Sequence, residues 1–322
     1  MRIRRIAVLT SGGDAPGMNA AIRAVVRQAI HEGMSVYGVE RGYNGLVRDN
    51  LTLMERRSVS DIIHRGGTIL KTARCDEFNT IEGQAEATKV LREHDIDALV
   101  VIGGDGSMRG ARDIAKNFDI PVIAIPATID NDLNYTDYTI GFDTAVNTVL
   151  SAINNLRDTM TSHDRVSVIE VMGRKCGDLA VYAGLAGGAE HILVPEMPVD
   201  LDAVAKELNQ SYLRDKTSDF VIVAEGVGTA EEICKKLGSK TTVPLRATVL
   251  GHIQRGGMPT MADRVLAARL GVHAIKTLKE GRFNRAVGIV NNQMIDVDIE
   301  EALNAKSNFN PELYNIADVL SL

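Results

Sequence analysis

The sequence is short of several features that would each point to a function class. It has no basic surplus: 36 Lys and Arg stand against 42 Asp and Glu, a formal net charge of -6. Non-specific nucleic-acid binding needs such a surplus to neutralise phosphates, so that class is set aside. Cysteine is scarce as well: Cys75, Cys176 and Cys234 are far apart and form no Cys-x-x-Cys pair. An odd, dispersed set supports neither a disulfide framework nor a zinc site and fits a reducing compartment. No apolar run approaches the length of a membrane span. Residues Met1–Leu9 are basic and then apolar, but the run ends after a few residues at Thr10-Ser11-Gly12-Gly13-Asp14. That is too short for the core of a signal peptide and reads as a first buried strand. The expectation is a cytoplasmic protein that binds neither nucleic acid nor membrane. Low-complexity segments, Ser/Pro-rich linkers and solenoid-type repeats are missing too.

What is present is globular. Hydrophobic residues make up 45% and charged residues 24% of 322 positions, and a chain of this length favours two domains. One rhythm recurs along it: a β-branched run, a Gly/Asp-rich turn, then an amphipathic helical stretch. Strands are predicted at Ile6–Thr10, Ala98–Ile102, Val122–Ile125, Val166–Val171, His191–Val194, Phe220–Ala224, Ala247–Leu250 and Val287–Val290. Helices are predicted from about Asn19 to His31 and from the Gly103–Ser107 turn to about Asn117. Apolar runs without alternation mark strands buried on both faces, hence an α/β fold with mainly parallel sheets.

Ligands of open parallel sheets gather at the carboxyl ends of strands, and three unusual turns fall there, so they should line a common cleft. Ser11-Gly12-Gly13-Asp14-Ala15-Pro16-Gly17-Met18-Asn19 lets backbone N–H groups approach a phosphate at a helix N-terminus. By itself it also fits a glycine turn needed only for its backbone angles. It is not a Walker loop, because no Gly-Lys-Ser/Thr follows. Gly103-Gly104-Asp105-Gly106-Ser107 sets a carboxylate among glycines, which suits Mg²⁺ held jointly with nucleotide phosphates. Nicotinamide-nucleotide kinases and lipid kinases have similar turns. Thr128-Ile129-Asp130-Asn131-Asp132 puts two carboxylates two residues apart just past a strand. In-line phosphoryl transfer needs a base near the acceptor hydroxyl, a metal, and positive charge on the transferred group. Taken alone, the pentapeptide also fits an Asx-rich capping turn.

Together with Glu170-Val171-Met172-Gly173-Arg174 and Gly251-His252-Ile253-Gln254-Arg255-Gly256-Gly257, these turns occur in an order that resembles the bacterial ATP-dependent 6-phosphofructokinases, over essentially the whole chain. The resemblance implies two Rossmann-like lobes with helices on both faces of mainly parallel sheets. Residues 1–141 plus 254–304 would form a larger ATP/Mg²⁺ lobe, and 142–253 plus 305–322 a smaller sugar-phosphate lobe. It implies transfer of the γ-phosphoryl group of ATP to the 1-hydroxyl of fructose 6-phosphate, a step of glycolysis.

Roles carry over where residues match the family. Asp130 resembles the base, with Thr128, Asp132, Arg174 and the Gly13 backbone around the transition state, and Asp105 the Mg²⁺ partner. Tyr43, Arg74, Cys75, Gly104, Gly106, Ser107 and Gly110 match the nucleotide site. Cys75 stands where the family often has an aromatic beside the adenine. Fructose 6-phosphate would lie among Met172, Gly173, Glu225, His252 and Arg255, with Arg165 and Arg246 reaching in from a neighbouring subunit of a homotetramer. Arginine forks suit a sugar phosphate because they grip it bidentately. Effector contacts would be Arg23, Arg27, Arg56, Arg157, Glu190, Arg214 and Lys216. Asp215 adds a negative charge in that last loop, which predicts an altered effector response.

Pyrophosphate-dependent relatives carry Asp in place of Gly106 and Lys in place of Ala127, so Gly106 points to ATP. ATP-using relatives usually have Gly where this chain has Ala127. A nicotinamide-nucleotide kinase has no use for the acidic loop or the His252/Arg255 segment. A non-catalytic sugar-phosphate sensor needs neither Asp105 nor Asp130.

Overall fold

The computed structural model describes residues 3–160, 165–214, 218–307 and 309–320. In chain order the elements are β1 (Arg5–Thr10), α1 (Met18–His31), β2 (Ser35–Val39), α2 (Gly42–Val47), β3 (Leu51–Met54), α3 (Ile81–Glu93), β4 (Ala98–Gly103), α4 (Asp105–Phe118), β5 (Val122–Pro126), α5 (Phe142–Met160) and β6 (Arg165–Val171). There follow α6 (Asp178–Gly187), β7 (His191–Leu193), α7 (Leu201–Leu213), β8 (Ser218–Ala224), α8 (Ala230–Gly238), β9 (Leu245–Val249), α9 (Met261–Lys279), β10 (Arg285–Val290), β11 (Gln293–Asp298), α10 (Ile299–Leu303) and α11 (Pro311–Leu320). They fall into two compact units: Met1–Ile129, Leu133–Thr144 and Arg255–Asn308 form one, and Asp130–Asp132, Ala145–Gln254 and Phe309–Leu322 the other.

The first unit holds a seven-stranded sheet in the order β11-β10-β5-β4-β1-β2-β3. The inner strands are parallel, and β3 and β11 pair antiparallel at its two edges. Every residue of the run Ala-Leu-Val-Val-Ile-Gly in β4 is buried, the pattern of a strand covered on both faces. Leu99 and Val101 join a core with Met108 and Ile114 of α4. On adjacent elements α1 and α9 pack against one another, α1 against β1 and β4, and α9 against β5. The fold is therefore the α/β class with mostly parallel strands.

Strands β2, β3 and β11 do not follow from the sequence pattern. Edge strands need no continuous apolar run: Thr52 and Leu53 of β3 are exposed, and β11 reads Gln-Met-Ile-Asp-Val-Asp with no fully buried position. In β2 the run is broken by Gly38, where a Cβ would stand 2.6 Å from the Met54 sulfur; the glycine admits that side chain.

The second unit holds a four-stranded parallel sheet in the order β7-β8-β6-β9. Val166, Val168, Val221 and Val223 pack against Leu208 of α7 and Ile233 and Leu237 of α8. Helix α11 lies against α6. Strand β9 is an edge, and Arg246, Ala247 and Val249 are exposed on it. No helix among the described residues is long and apolar enough to cross a membrane.

Candidate active site

In the first unit, the turns after β1, β4 and β5 stand at the carboxyl ends of neighbouring parallel strands. Close approach explains their glycines. A Cβ at Gly103 would lie 2.5 Å from both the Ser11 carbonyl oxygen and the Ser107 hydroxyl, so β4 can meet the first turn only without a side chain there. Gly12 adopts φ 84°. A Cβ on Gly13 would meet the Arg255 guanidinium at 3.4 Å. Arg255, expected beside the sugar, is thus stacked on the backbone of the first turn. Its charge also acts on Asp14, whose carboxyl is raised above its ordinary pKa chiefly by burial, against hydrogen bonds from Thr68 and Ala15. Buried Asn19 ties the turn to the segment after β3, donating to the Arg65 and Gly67 carbonyls and accepting from Ile69 N–H at 2.8 Å.

Asp105 opens α4, with Gly104 at the cap. Its carboxylate accepts two hydrogen bonds from Arg109, at 2.8 and 3.0 Å. A Cβ at Gly106 would meet nothing within 4 Å, so the space beside it is open. The Ser107 hydroxyl is buried and has no hydrogen-bond partner among the described residues; it lies beside Gly12 and Gly103. Tyr43 is buried rather than lining a surface: it stacks on Phe78 at 4.0 Å and donates to the Ser107 carbonyl at 2.7 Å. Gly110 leaves room for its ring, because a Cβ there would approach it to 2.8 Å. Arg74 is exposed and Cys75 half-buried in the loop before α3. Thr128 borders Gly104, and its carbonyl accepts from Thr139 at 2.6 Å. Ala127 is buried, donates to the Gly103 carbonyl at 3.0 Å and bridges to Ile140.

In the second unit, Asp130 is 3% exposed, and its carboxylate lies 3.3 Å from the Arg174 guanidinium. Asp132 reaches the same guanidinium at 3.8 Å. Arg174 itself has φ 54°, a left-handed conformation costly for a side-chain-bearing residue. Its backbone N–H donates to Glu225 at 2.7 Å, and a Cβ at Gly226 would lie 2.4 Å from its carbonyl oxygen. Glu225 is thus committed, through one oxygen, to shaping the loop that carries Arg174.

Met172 is buried and its N–H donates to Gln254 at 3.1 Å. Gly173 has φ 132° and leaves room for the Cys176 carbonyl. Gln254 is fully buried and also donates to the Gly251 carbonyl at 2.9 Å, fastening the turn that presents exposed His252. Arg165 and Arg246 lie on the paired strands β6 and β9, Arg246 fully outward.

The expected effector residues lie on several elements, some in each unit. Arg23 and Arg27 lie a helical turn apart on α1, and burial and Arg27 both lower the Arg23 pKa. Arg56 is exposed after β3. Arg157 donates to the Gly187 carbonyl at 2.6 Å and sits 4.7 Å over the Phe220 ring, while Glu190 accepts from Phe220 N–H at 2.6 Å. Arg214 is exposed at the end of α7. Lys216 and Asp215 lie outside the described residues.

Asn19, Arg109 and Gln254 carry parts of these arrangements without having been singled out in the sequence. Asn19 and Gln254 stand inside the diagnostic segments, but only burial distinguishes them from ordinary polar residues.

The sequence profile of the phosphofructokinase family matches residues 5–278. The ATP-dependent 6-phosphofructokinase of Clostridioides difficile (strain 630) is 57% identical over 320 residues, 99% of this chain and 100% of that protein. That of Clostridium botulinum (strain Loch Maree / Type A3) is 56% identical over 319 residues, with 99% and 100% covered. Phosphofructokinase from Saccharomyces cerevisiae superposes with a TM-score of 0.88 at 35% identity, over 99% of this chain and 48% of that longer one. The pyrophosphate-dependent phosphofructokinase from Marinobacter aquaeolei, at 24% identity and a TM-score of 0.82 over 96% of this chain and 86% of that one, shares the fold. With its motifs, sheet order and sequence in agreement over nearly its full length, the chain belongs to the phosphofructokinase family.

Proposed function

We propose that this chain is an ATP-dependent 6-phosphofructokinase, transferring the γ-phosphoryl group of ATP to the 1-hydroxyl of fructose 6-phosphate to give fructose 1,6-bisphosphate and ADP. The observation that carries the chemistry is the buried Asp130 carboxylate beside Arg174. A carboxylate at that position can take the proton of the attacking hydroxyl, a contribution of roughly 10²–10⁴ in rate. Its guanidinium neighbour, 3.3 Å away, carries the opposite charge and can swing toward the charge that develops on the phosphoryl oxygens. The backbone N–H groups around Gly12 and Gly13 suit the transferred phosphate, and Thr128 can donate a hydrogen bond to it. Met172, Glu225, His252 and Arg255 are the proposed sugar-phosphate contacts.

The family uses a divalent metal, and we assign Mg²⁺ to Asp105. The donor fits in kind: Asp105 offers one partly exposed carboxylate, and Mg²⁺ is usually held by one or two carboxylates completed by phosphates and water. Bound there with the nucleotide, Mg²⁺ would offset the negative charge of the phosphates. Arg109 donates one hydrogen bond to each carboxylate oxygen and would share them with the ion.

ATP is favoured as donor by the open space beside Gly106 and by the names of the relatives. We further propose a cytoplasmic homotetramer in which Arg165 and Arg246 serve a neighbouring subunit's sugar site, and an effector site built from Arg23, Arg27, Arg56, Arg157, Glu190, Arg214 and Lys216. Shared sites couple assembly geometry to catalysis. The division into an ATP lobe and a sugar-phosphate lobe is part of the same proposal. Steady-state rates with fructose 6-phosphate and either ATP or pyrophosphate test the central reading. Turnover with ATP alone is expected; turnover with pyrophosphate alone would overturn the donor assignment, and none with either would overturn the function.

A further inference from the structure

Asn131 stands between the two carboxylates of the acidic loop, and its surroundings are as constrained as theirs. It has φ 52° and is 3% exposed. While Asp130 and Asp132 meet Arg174, the Asn131 side chain turns to a different partner: its amide donates to the Asp178 carboxylate at 2.8 Å, in a buried bond. The Asn131 carbonyl accepts a weak bond from the Cys176 thiol at 3.9 Å. Burial pushes that thiol up to about 12, so it keeps its proton to donate.

Asp178 is unusual for the first residue of a helix. Such a position normally leaves a carboxylate in water, near the helix's positive end. Asp178 is instead 9% exposed, and burial raises its pKa, opposed by the hydrogen bond from Asn131 and reinforced by the charge of Glu196. Capping does not explain the burial, because the hydrogen bond that acts on the Asp178 carboxylate comes from the Asn131 side chain and not from a backbone N–H of α6. Among the described residues, the one side-chain hydrogen bond of the Asp178 carboxylate is that from Asn131.

We propose that Asp178 is a positioning residue for phosphoryl transfer: by accepting from Asn131 it holds the loop in its left-handed turn, which keeps Asp130 and Asp132 on the Arg174 guanidinium. The inference rests on the proposed function. Asparagine tolerates the left-handed region better than most residues, but tolerance alone does not choose that conformation over others. A buried charged acceptor, fixed on α6, does.

The test is a swap. Asp178→Ala removes the acceptor, Asp178→Asn keeps one acceptor oxygen, and Asn131→Asp sets two carboxylates face to face. The double variant Asn131→Asp/Asp178→Asn restores the bond with its direction reversed. Rates are measured with ATP and fructose 6-phosphate, alongside thermal unfolding and the KM for ATP. Asp178→Ala and Asn131→Asp are expected to lose roughly 10–100-fold in kcat, the scale of a misplaced reacting group, with the KM for ATP unchanged. Asp178→Asn and the double variant should recover most of the loss. Wild-type kcat in Asp178→Ala, or a double variant no better than Asn131→Asp, would overturn the inference. Should Asp178→Ala fail to fold, the comparison between Asn131→Asp and the double variant decides by itself. An inactive wild-type protein would instead count against the proposed function.

Discussion

The turn after β4 and the loop at Asp130–Asp132 solve one problem, fixing reactive groups at the end of a buried strand, by opposite means. The Gly103–Gly110 segment, from the end of β4 into α4, is shaped by missing side chains. Gly103 admits the Ser11 carbonyl and the Ser107 hydroxyl, Gly110 admits Tyr43, and Gly106 leaves open space. Asp130–Asp132 is shaped by side chains that grip each other, Arg174 on one side and Asp178 on the other. A ligand as large as a nucleotide needs backbone at close range; a base needs a fixed direction and a low-dielectric setting. Under the proposed function, the first demand selects glycine and the second selects a buried carboxylate, Asp130, in a loop held by partners on both sides.

The sharpest way to break this contrast is at the base. Asp130→Ser is expected to lower kcat by about 10²–10⁴ while fructose 6-phosphate binding, measured by titration, is largely kept. A large loss of binding at unchanged kcat would remove Asp130 from the chemistry. On the glycine side, Gly103→Ala must displace backbone rather than a flexible side chain. It should cost about 1–3 kcal/mol in a urea melt and raise the KM for ATP; a neutral result would mean that the turn has slack.

A third test asks whether the first unit also depends on a buried carboxylate. Asp263 is 1% exposed and accepts from Gly141 N–H, Thr144 N–H and the Thr144 hydroxyl, pinning the start of α5. Burial pushes its carboxyl from 3.8 to about 6, against those hydrogen bonds. The folded protein therefore holds this proton more tightly than the unfolded chain. Its contribution to stability is fully present below pH 3.8 and is lost as pH rises through about 6. The fall amounts to roughly 3 kcal/mol, and Asp263→Asn should flatten it in denaturant melts run across that range.

Smaller effects are expected where groups are exposed. Arg246→Ala should raise the KM for fructose 6-phosphate about tenfold or more, the scale of a charge-assisted hydrogen bond; an unchanged KM would remove it from the site. Arg109→Leu should lower the Mg²⁺ concentration for half-maximal activity only about twofold, because exposed i,i+4 pairs are weak.

Much of this was legible along the chain. The runs of β1, β4, β5, β6 and β8 announce buried parallel strands, and the Gly/Asp turns that follow announce ligand-bearing strand ends. Edge strands were not legible, because β3 and β11 bury too little apolar surface to leave a periodic trace. The resemblance offers Arg157 as an effector contact, but its engagement with Gly187, Gly188 and the Phe220 ring was not legible, because those contacts depend on where α6 ends.

The sequence by itself determined the α/β class, the family and the residue types able to do the chemistry, because those rest on local pattern and on motifs that are contiguous. Only the tertiary structure decided that Asn131 faces Asp178, that Gln254 fastens Met172 and that Arg255 lies on Gly13. Most of these are meetings of residues far apart in the chain, and burial selects the partner by making every unsatisfied polar group costly. No local pattern carries that choice.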